Sequence, residues 1–376
     1  MARFPFLVGP AYTSWSTNAE NQECINFFQE LVETGQGKSG YVLNGTPGLE
    51  VVVELPTGPI RALFTVPFSF PTPDRNFAVG GAVLYEIFTA TGTFTALGTV
   101  GNDGYPVYIA SNGKQLAIVS AQSLYGFQLE ANADPVIAAG TFTGPIANED
   151  GELLTLASVD FLGGYFVAPV ISAEVRGKQV YSDLYNVNSW PTLNFFTAED
   201  NPDRCTRGIV DHGEYWCFGD ASVQVFGLMA DPDNPFQSLH GSAIPQGTSS
   251  PAAVVKQDNT VFWLSVDPEK GGPIFSRADG WLARRVSNHS VEAYLAKLSK
   301  ETIGKAVSYA FTMNGHPFIQ LSFPGDRVTW RYDASIQDPS MAWHKVGCWN
   351  PRTGSYDAHR TLTHTYGSGM HLVGNR

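Results

Sequence analysis

Few residues of this 376-residue chain have the chemistry to catalyse a reaction, and their spacing works against it. Two adjacent carboxylate pairs, Glu149-Asp150 and Glu199-Asp200, are the residue type that acid–base hydrolysis of a glycoside employs. That chemistry needs two carboxyl groups facing each other across a bond, whereas sequence neighbours on a loop diverge into water. Both pairs therefore read as solvated charge. His359 and His364, near Asp357, are donors without the spacing of a recognised metal motif, and read as surface or hydrogen-bonded histidines. His212, between Cys205 and Cys217, also lacks ligand spacing. Gly367-Ser368-Gly369 lacks the strand-to-helix setting of a nucleophile elbow. Asp231-Pro232-Asp233 is interrupted by proline and has no closing Glu, so it is not a calcium loop. No glycine-rich loop precedes a helix to cradle phosphate. Ser276–Trp281 (SRADGW) echoes part of the Ser-x-Asp-x-Gly-x-x-Trp turn of sialidases, and nothing repeats it. The sequence thus predicts no catalytic, cofactor-binding or metal-ligating residues, and no cofactor.

The elements that would position any site are strands. Residues Ala306–Trp349 show the unit most clearly. A β-prone run reaches Asn314-Gly315, a dipeptide that favours a two-residue type I′ hairpin turn. His316–Phe323 alternates large apolar with small or polar residues, Pro324-Gly325-Asp326 turns the chain, and Arg327–Asp333 is rich in β-branched and aromatic residues. Met341–Val346 offers a fourth short strand. Four antiparallel strands in about forty residues is the size of one β-propeller blade. Turn residues Gly80, Gly113, Gly163, Gly213, Asn259, Gly315 and Gly367 recur at intervals of 33, 50, 50, 46, 56 and 52. A period near 50 with strands throughout predicts an all-β propeller of six to seven four-stranded antiparallel blades. A pair of β-sandwiches would give frequent strands without the larger repeat.

Residues 1–50 differ, and are expected to lead into the propeller and help close it. Residues 51–376 form the propeller, its last unit incomplete. Asn44-Gly45 and Pro47-Gly48 should turn the chain into a first strand at Glu50–Leu55. Val291–Lys300 predicts a short helix capped by Ser290, with Val291, Leu295 and Leu298 on one face. Asp231–Pro251 and Val66–Asn76 are irregular connections and candidate contact loops. Trp190, Trp216, Trp263, Trp330 and Trp343 lie in strand patterns and are expected in the core rather than on a sugar-binding platform.

The composition is that of a globular chain, 43% apolar and 15% charged, with 38 Gly and 24 Pro to supply turns. With 23 basic against 35 acidic residues, its net charge of −12 argues against a DNA-wrapping surface, because that affinity comes from Lys and Arg neutralising phosphates. An acidic surface keeps a protein soluble and could also line a channel through which DNA slides. Cys24, Cys205, Cys217 and Cys348 are widely spread without CxxC spacing, and predict buried free thiols. No run suits a signal peptide or approaches the roughly 20 apolar residues of a membrane span, so the expectation is a soluble protein made in a cytoplasm.

Cys24–Leu49, with Cys24, Asn26, Phe27 and Glu30 and its Thr-Pro-Gly-Leu end, resembles the opening of the phage stabilisation protein family. These are the packaged-DNA stabilisation or tail nozzle proteins of short-tailed bacteriophages. The resemblance continues through Pro235–Gly247, Val261–Leu264, Arg285–Tyr294 and Gly315–Asp333. It implies a non-enzymatic virion protein, made in the bacterial host and placed in the tail. It further implies a homo-hexameric nozzle below the portal and adaptor, acting as a head–tail connector. Such a ring would close the DNA exit channel, retain the packaged genome and contact a tail needle or tip and fibres or spikes during ejection. DNA would pass without sequence-specific binding, and the protein would not insert in a membrane. Two other readings stand beside it: a carbohydrate-binding or glycan-hydrolysing propeller for host recognition, and a cytosolic interaction scaffold.

Overall fold

The computed structural model describes residues 11–13, 21–32, 40–68, 73–133, 136–171, 175–201, 203–267 and 271–375. The fold is a six-bladed β-propeller of antiparallel sheets, with two short helices among the described residues. The blades occupy residues 60–99, 108–143, 160–197, 205–238, 255–285 and 307–358, and within each the strands follow one another in chain order. Five sheets have four strands; the sixth has five, because Trp343–Asn350 continues into a hairpin with Ser355–Ala358. The template unit is built as its sequence implies, with Val307–Met313, His316–Ser322, Thr329–Asp333 and Trp343–Asn350 in order.

The recurrent turn residues explain both the period and its irregularity. Gly113, Gly163, Gly213, Asn259 and Gly315 each join the first and second strands of their blades. Gly80 instead joins the second and third strands of the first blade, which is why the first interval is short. Asn314 and Gly315 have φ of 52° and 83°, the two positive values a type I′ turn requires.

The chain divides into two compact units. One comprises Met1–Val51, Ala252–Asp279 and Ala283–Arg360; the other comprises Val52–Pro251, Gly280–Leu282 and Thr361–Arg376. In the second unit three apolar clusters each join adjacent blades, the first and second around Phe77, Leu116 and Phe127, the second and third around Leu124, Phe166 and Trp190. Tyr181, Phe196, Tyr215 and Phe236 join the third and fourth. The C-terminal hairpin Thr361–Gly367 and Met370–Asn375 packs on Ile60–Val66, where Thr365 Oγ1 donates to Thr65 Oγ1 at 2.9 Å.

In the first unit the fifth and sixth blades share one core of Phe262, Phe275, Leu321, Trp330, Tyr332 and Trp343. The predicted helix is two helices. Asn288, not Ser290, caps His289–Leu295 by accepting from Val291 N, and Ser299 opens Lys300–Gly304 by accepting from Thr302 N. A second capping residue within the run ends the first helix by offering a new start. Val291 and Leu295 are buried, as the predicted apolar face requires. Phe27–Leu31 forms an antiparallel strand pair with Tyr41–Gly45. It is tied to the sixth blade by Asn26, whose side chain donates to Gly347 O at 3.0 Å and accepts from Gly347 N at 2.9 Å. Glu50–Leu55 does not form the expected strand: it joins no ladder, and the first blade begins at Ile60. Val51, 73% exposed, shows that this apolar run has no second sheet to bury it.

Trp343 is wholly buried, 5.0 Å from the Tyr332 ring and 5.6 Å from Phe275, and its indole N–H donates to Val286 O at 2.8 Å. Trp343→Ala should destabilise the protein by about 3–5 kcal/mol, the scale for deleting a buried aromatic. Urea denaturation followed by circular dichroism measures it. A loss under about 1 kcal/mol would contradict this packing.

Candidate functional site

The residues with candidate chemistry mostly fasten turns. Glu149 Oε1 accepts from Thr192 N at 3.0 Å and Asp150 Oδ2 from Thr192 Oγ1 at 2.5 Å, so this carboxylate pair braces a neighbouring loop. Glu199 and Asp200 are exposed, and Asp200 N donates to Gln224 Oε1 at 3.4 Å. His212 sits in a hairpin turn with Nδ1 2.7 Å from Asp211 Oδ2. Asp231 Oδ1 accepts from Asp233 N in a local turn. Ser368 occupies a tight hairpin turn, its N–H donating to Asp74 Oδ2 at 2.8 Å and its Oγ 3.0 Å from Asn76 Nδ2. In the SRADGW segment Ser276 is buried against Ser265 Oγ at 3.1 Å, whereas Trp281 donates to Glu214 Oε2 at 3.3 Å. The five tryptophans expected in the core are all buried.

The expectation of four free thiols is corrected for two of them. Cys205 and Cys217 form a disulfide, with Cα atoms 5.8 Å apart, and Cys24 and Cys348 remain free. The cause lies in sheet register. Cys205–Asp211 and Glu214–Gly219 are consecutive antiparallel strands, and a bulge between Cys205 and Arg207 brings the two cysteines alongside. Burial raises the Cys24 thiol, offset in part by its hydrogen bond to Phe27 O.

His359 and His364 do not share a site with Asp357 as ligands. Asp357 pairs with Arg327, at 3.0 Å from Nη2, and accepts from Asn350 at 2.7 Å. His359 faces Gln320, Nδ1 to Nε2 at 3.4 Å, and His364 Nε2 lies 3.0 Å from His371 Nδ1. Among the described residues no group of three or more His, Cys, Asp or Glu side chains is arranged to hold a metal ion.

The strongest concentration of polar chemistry is one the sequence reading missed, inside the sixth blade. Gln320 and Arg331 are register partners on neighbouring strands, and Arg331 Nη2 donates to Gln320 Oε1 at 2.7 Å. Arg331 is 5% exposed, and its guanidinium lies over Phe311 and Phe318, at 5.0 and 5.7 Å from their centroids. Burial lowers its pKa to about 10, with Tyr309 opposing the shift, so it stays charged at neutral pH. Beside it are two imidazoles held neutral. His344 is held well below the usual histidine range by burial, then by Arg331 and His316; His359 is lowered to about 4 by burial and Arg331. His316 Nδ1 lies 2.7 Å from Asp333 Oδ2, and Ser335 Oγ donates to Asp333 Oδ1 at 2.6 Å.

Serine, histidine and aspartate thus meet in one place, with the wrong wiring for nucleophilic catalysis. A working triad uses one imidazole nitrogen for the serine and the other for the carboxylate. Here Ser335 Oγ and Asp333 both approach His316 Nδ1, at 3.2 and 2.7 Å, so no relay runs through the ring. Phe28 and Phe318 pack edge-on and flat against that imidazole. The arrangement locks the blade's strand ends. Its sequence signal was no more than polar residues within runs patterned as strands.

The family model described as Bacteriophage P22 Gp10, beta-propeller matches residues 2–376. The chain belongs to this family. It is a phage structural protein with the propeller fold. No curated protein matches. Among solved structures, the chain resembles the extracellular domain of the one component system BT4673 from B. thetaiotaomicron, at 8% identity and a TM-score of 0.51. A second structure, titled as the extracellular domain of the hybrid two component system BT4673, gives 9% identity and a TM-score of 0.50. Each match covers 86% of this chain and 38% of the solved chain. At that identity the likeness is one of fold alone.

The depressed imidazoles make stability pH-dependent. The unfolded chain protonates these histidines near pH 6.5 and the folded chain resists, so the unfolded state binds more protons and stability falls as pH drops. The His359 contribution, roughly 3 kcal/mol, is complete above pH 6.5 and is lost progressively towards pH 4. His344 adds a loss of the same sign. Thermal midpoints taken from pH 7 to 4 should fall, and more shallowly in a His344→Gln, His359→Asn variant. Equal slopes would refute the assignment.

Proposed function

We propose that this protein is a non-enzymatic component of a phage tail, a nozzle or hub that closes the DNA exit channel and retains the packaged genome. The observation that carries the proposal is the family model's match across residues 2–376. In this reading the chain forms a homo-hexameric ring below the portal and adaptor, and meets a tail needle or tip and fibres during ejection. A propeller suits that work, since its short protected edges make a rigid body that presents loops to several partners at once. A closed cyclic ring needs heterologous contacts, in which different patches of one subunit meet. The net charge of −12 would let DNA pass without the phosphate contacts that retain it.

The contact loops in this reading are Asp231–Pro251 and Val66–Asn76. Residues 69–72 of the latter lie outside the described residues. In the former, Asp231–Asn234 is an exposed tip, while Phe236–Ser238 completes the fourth blade and Ile244 bridges to Val223. The tip is therefore separable from the fold. Replacing Asp231–Asn234 with Gly-Ser-Gly-Ser should leave the thermal midpoint within a few degrees and reduce incorporation into particles.

Immunogold electron microscopy of purified phage, with an antibody to this chain, tests the placement itself. Gold at the tail vertex is the expected result. Unlabelled particles from a preparation that expresses the protein would overturn it, and a glycan array would then test for host-surface recognition.

A further inference from the structure

The C-terminal hairpin carries a second feature, independent of the tail assignment. Its strands Thr361–Gly367 and Met370–Asn375 pair with His364 opposite Val373 and Tyr366 opposite His371. His364 and His371 are therefore diagonal neighbours on one face of the ribbon. The opposite face is pressed onto the first blade. Leu372 is buried there, and a Cβ at Gly374 would lie 2.8 Å from Ile60 Cβ. With its back held this closely, the ribbon presents the two imidazoles from a rigid support, with His371 exposed and His364 half-buried.

We propose that His364 and His371 form a binding site for a late first-row divalent cation. The imidazole nitrogens that face each other, His364 Nε2 and His371 Nδ1, are 3.0 Å apart. A metal–imidazole bond is about 2.1 Å, so ligands at right angles around one ion lie about 3.0 Å apart, and tetrahedral ones about 3.4 Å. The observed separation is that of two adjacent corners of a square or octahedron, the geometry nickel and copper take with nitrogen donors. The rings are tilted by 32° with centroids 5.2 Å apart, and Tyr366 stacks edge-on to His371 at 5.0 Å, restricting the ring's rotation. Without an ion, one imidazole donates its N–H to the other. Binding requires that donor to carry its proton on its other ring nitrogen, so that both facing lone pairs meet the cation. Water completes the coordination.

The experiment titrates the full chain, without any added histidine tag, with nickel chloride. Calorimetry should give one ion per chain, and paramagnetic broadening should fall on the His364 and His371 ring protons. His364→Gln and His371→Asn should each weaken binding at least about tenfold, the scale on which even outer-shell partners act. The double variant should lose little more than either single one, because a chelate fails when one arm is removed. Their thermal midpoints without metal should match the parent protein. Absence of nickel binding by the parent chain, broadening elsewhere, or variants that bind like the parent would overturn the site.

Discussion

The constraint on which the rest of this structure depends is that the middle two strands of every blade are buried on both faces. Gln115–Ser120 is buried at every position, Thr329–Asp333 likewise, and the corresponding strands of the other blades are nearly so. Outer strands such as Thr93–Thr99 are largely exposed. Burial on both faces follows from blades packing face to face, each apolar cluster drawing on two sheets. It also dictates chemistry, because a polar side chain on a middle strand must find its partner inside the sheet.

The blades meet that demand in a recurring way, between their second and third strands. Gln115 donates to its register partner Gln128 at 2.9 Å, and Arg331 donates to its register partner Gln320. Ser265 meets Ser276, and Arg75 forms a two-pronged pair with Glu86 at 2.7 and 2.9 Å. The sixth blade carries the idea furthest, burying a full positive charge among aromatic faces and two neutral imidazoles. A buried guanidinium has a high desolvation cost and little adaptability, so it favours one strand register over its neighbours. For a protein whose family is structural, a single rigid arrangement is of more use than a reactive one.

The sequence by itself determined the repeat. Turn dipeptides such as Asn314-Gly315 act through their own backbone preferences, and strand alternation reports burial locally, so blade size, blade order and the all-β class were legible without coordinates. The buried tryptophans followed from the same alternation, and the family followed from ordered motifs spread along the chain. Glu149 and Asp150, read from their adjacency as solvated charge, instead brace a neighbouring loop through Thr192, and Ser368 lies in a hairpin turn.

Tertiary structure decided whatever required two distant segments to meet. The Cys205–Cys217 pairing depended on a bulge that spacing does not reveal. The separate partners of His359 and His364 depended on which strand each residue faces, and residues five apart in sequence acquired unrelated surroundings. Nothing in the linear sequence marks Arg331, His344 and Gln320 as buried, because hydrophobic patterning cannot tell a polar residue in water from one paired inside a sheet. Glu50–Leu55 failed in the opposite direction, since its strand propensity had no neighbouring strand to complete a ladder. Local preference fixes the element, and only packing fixes its company.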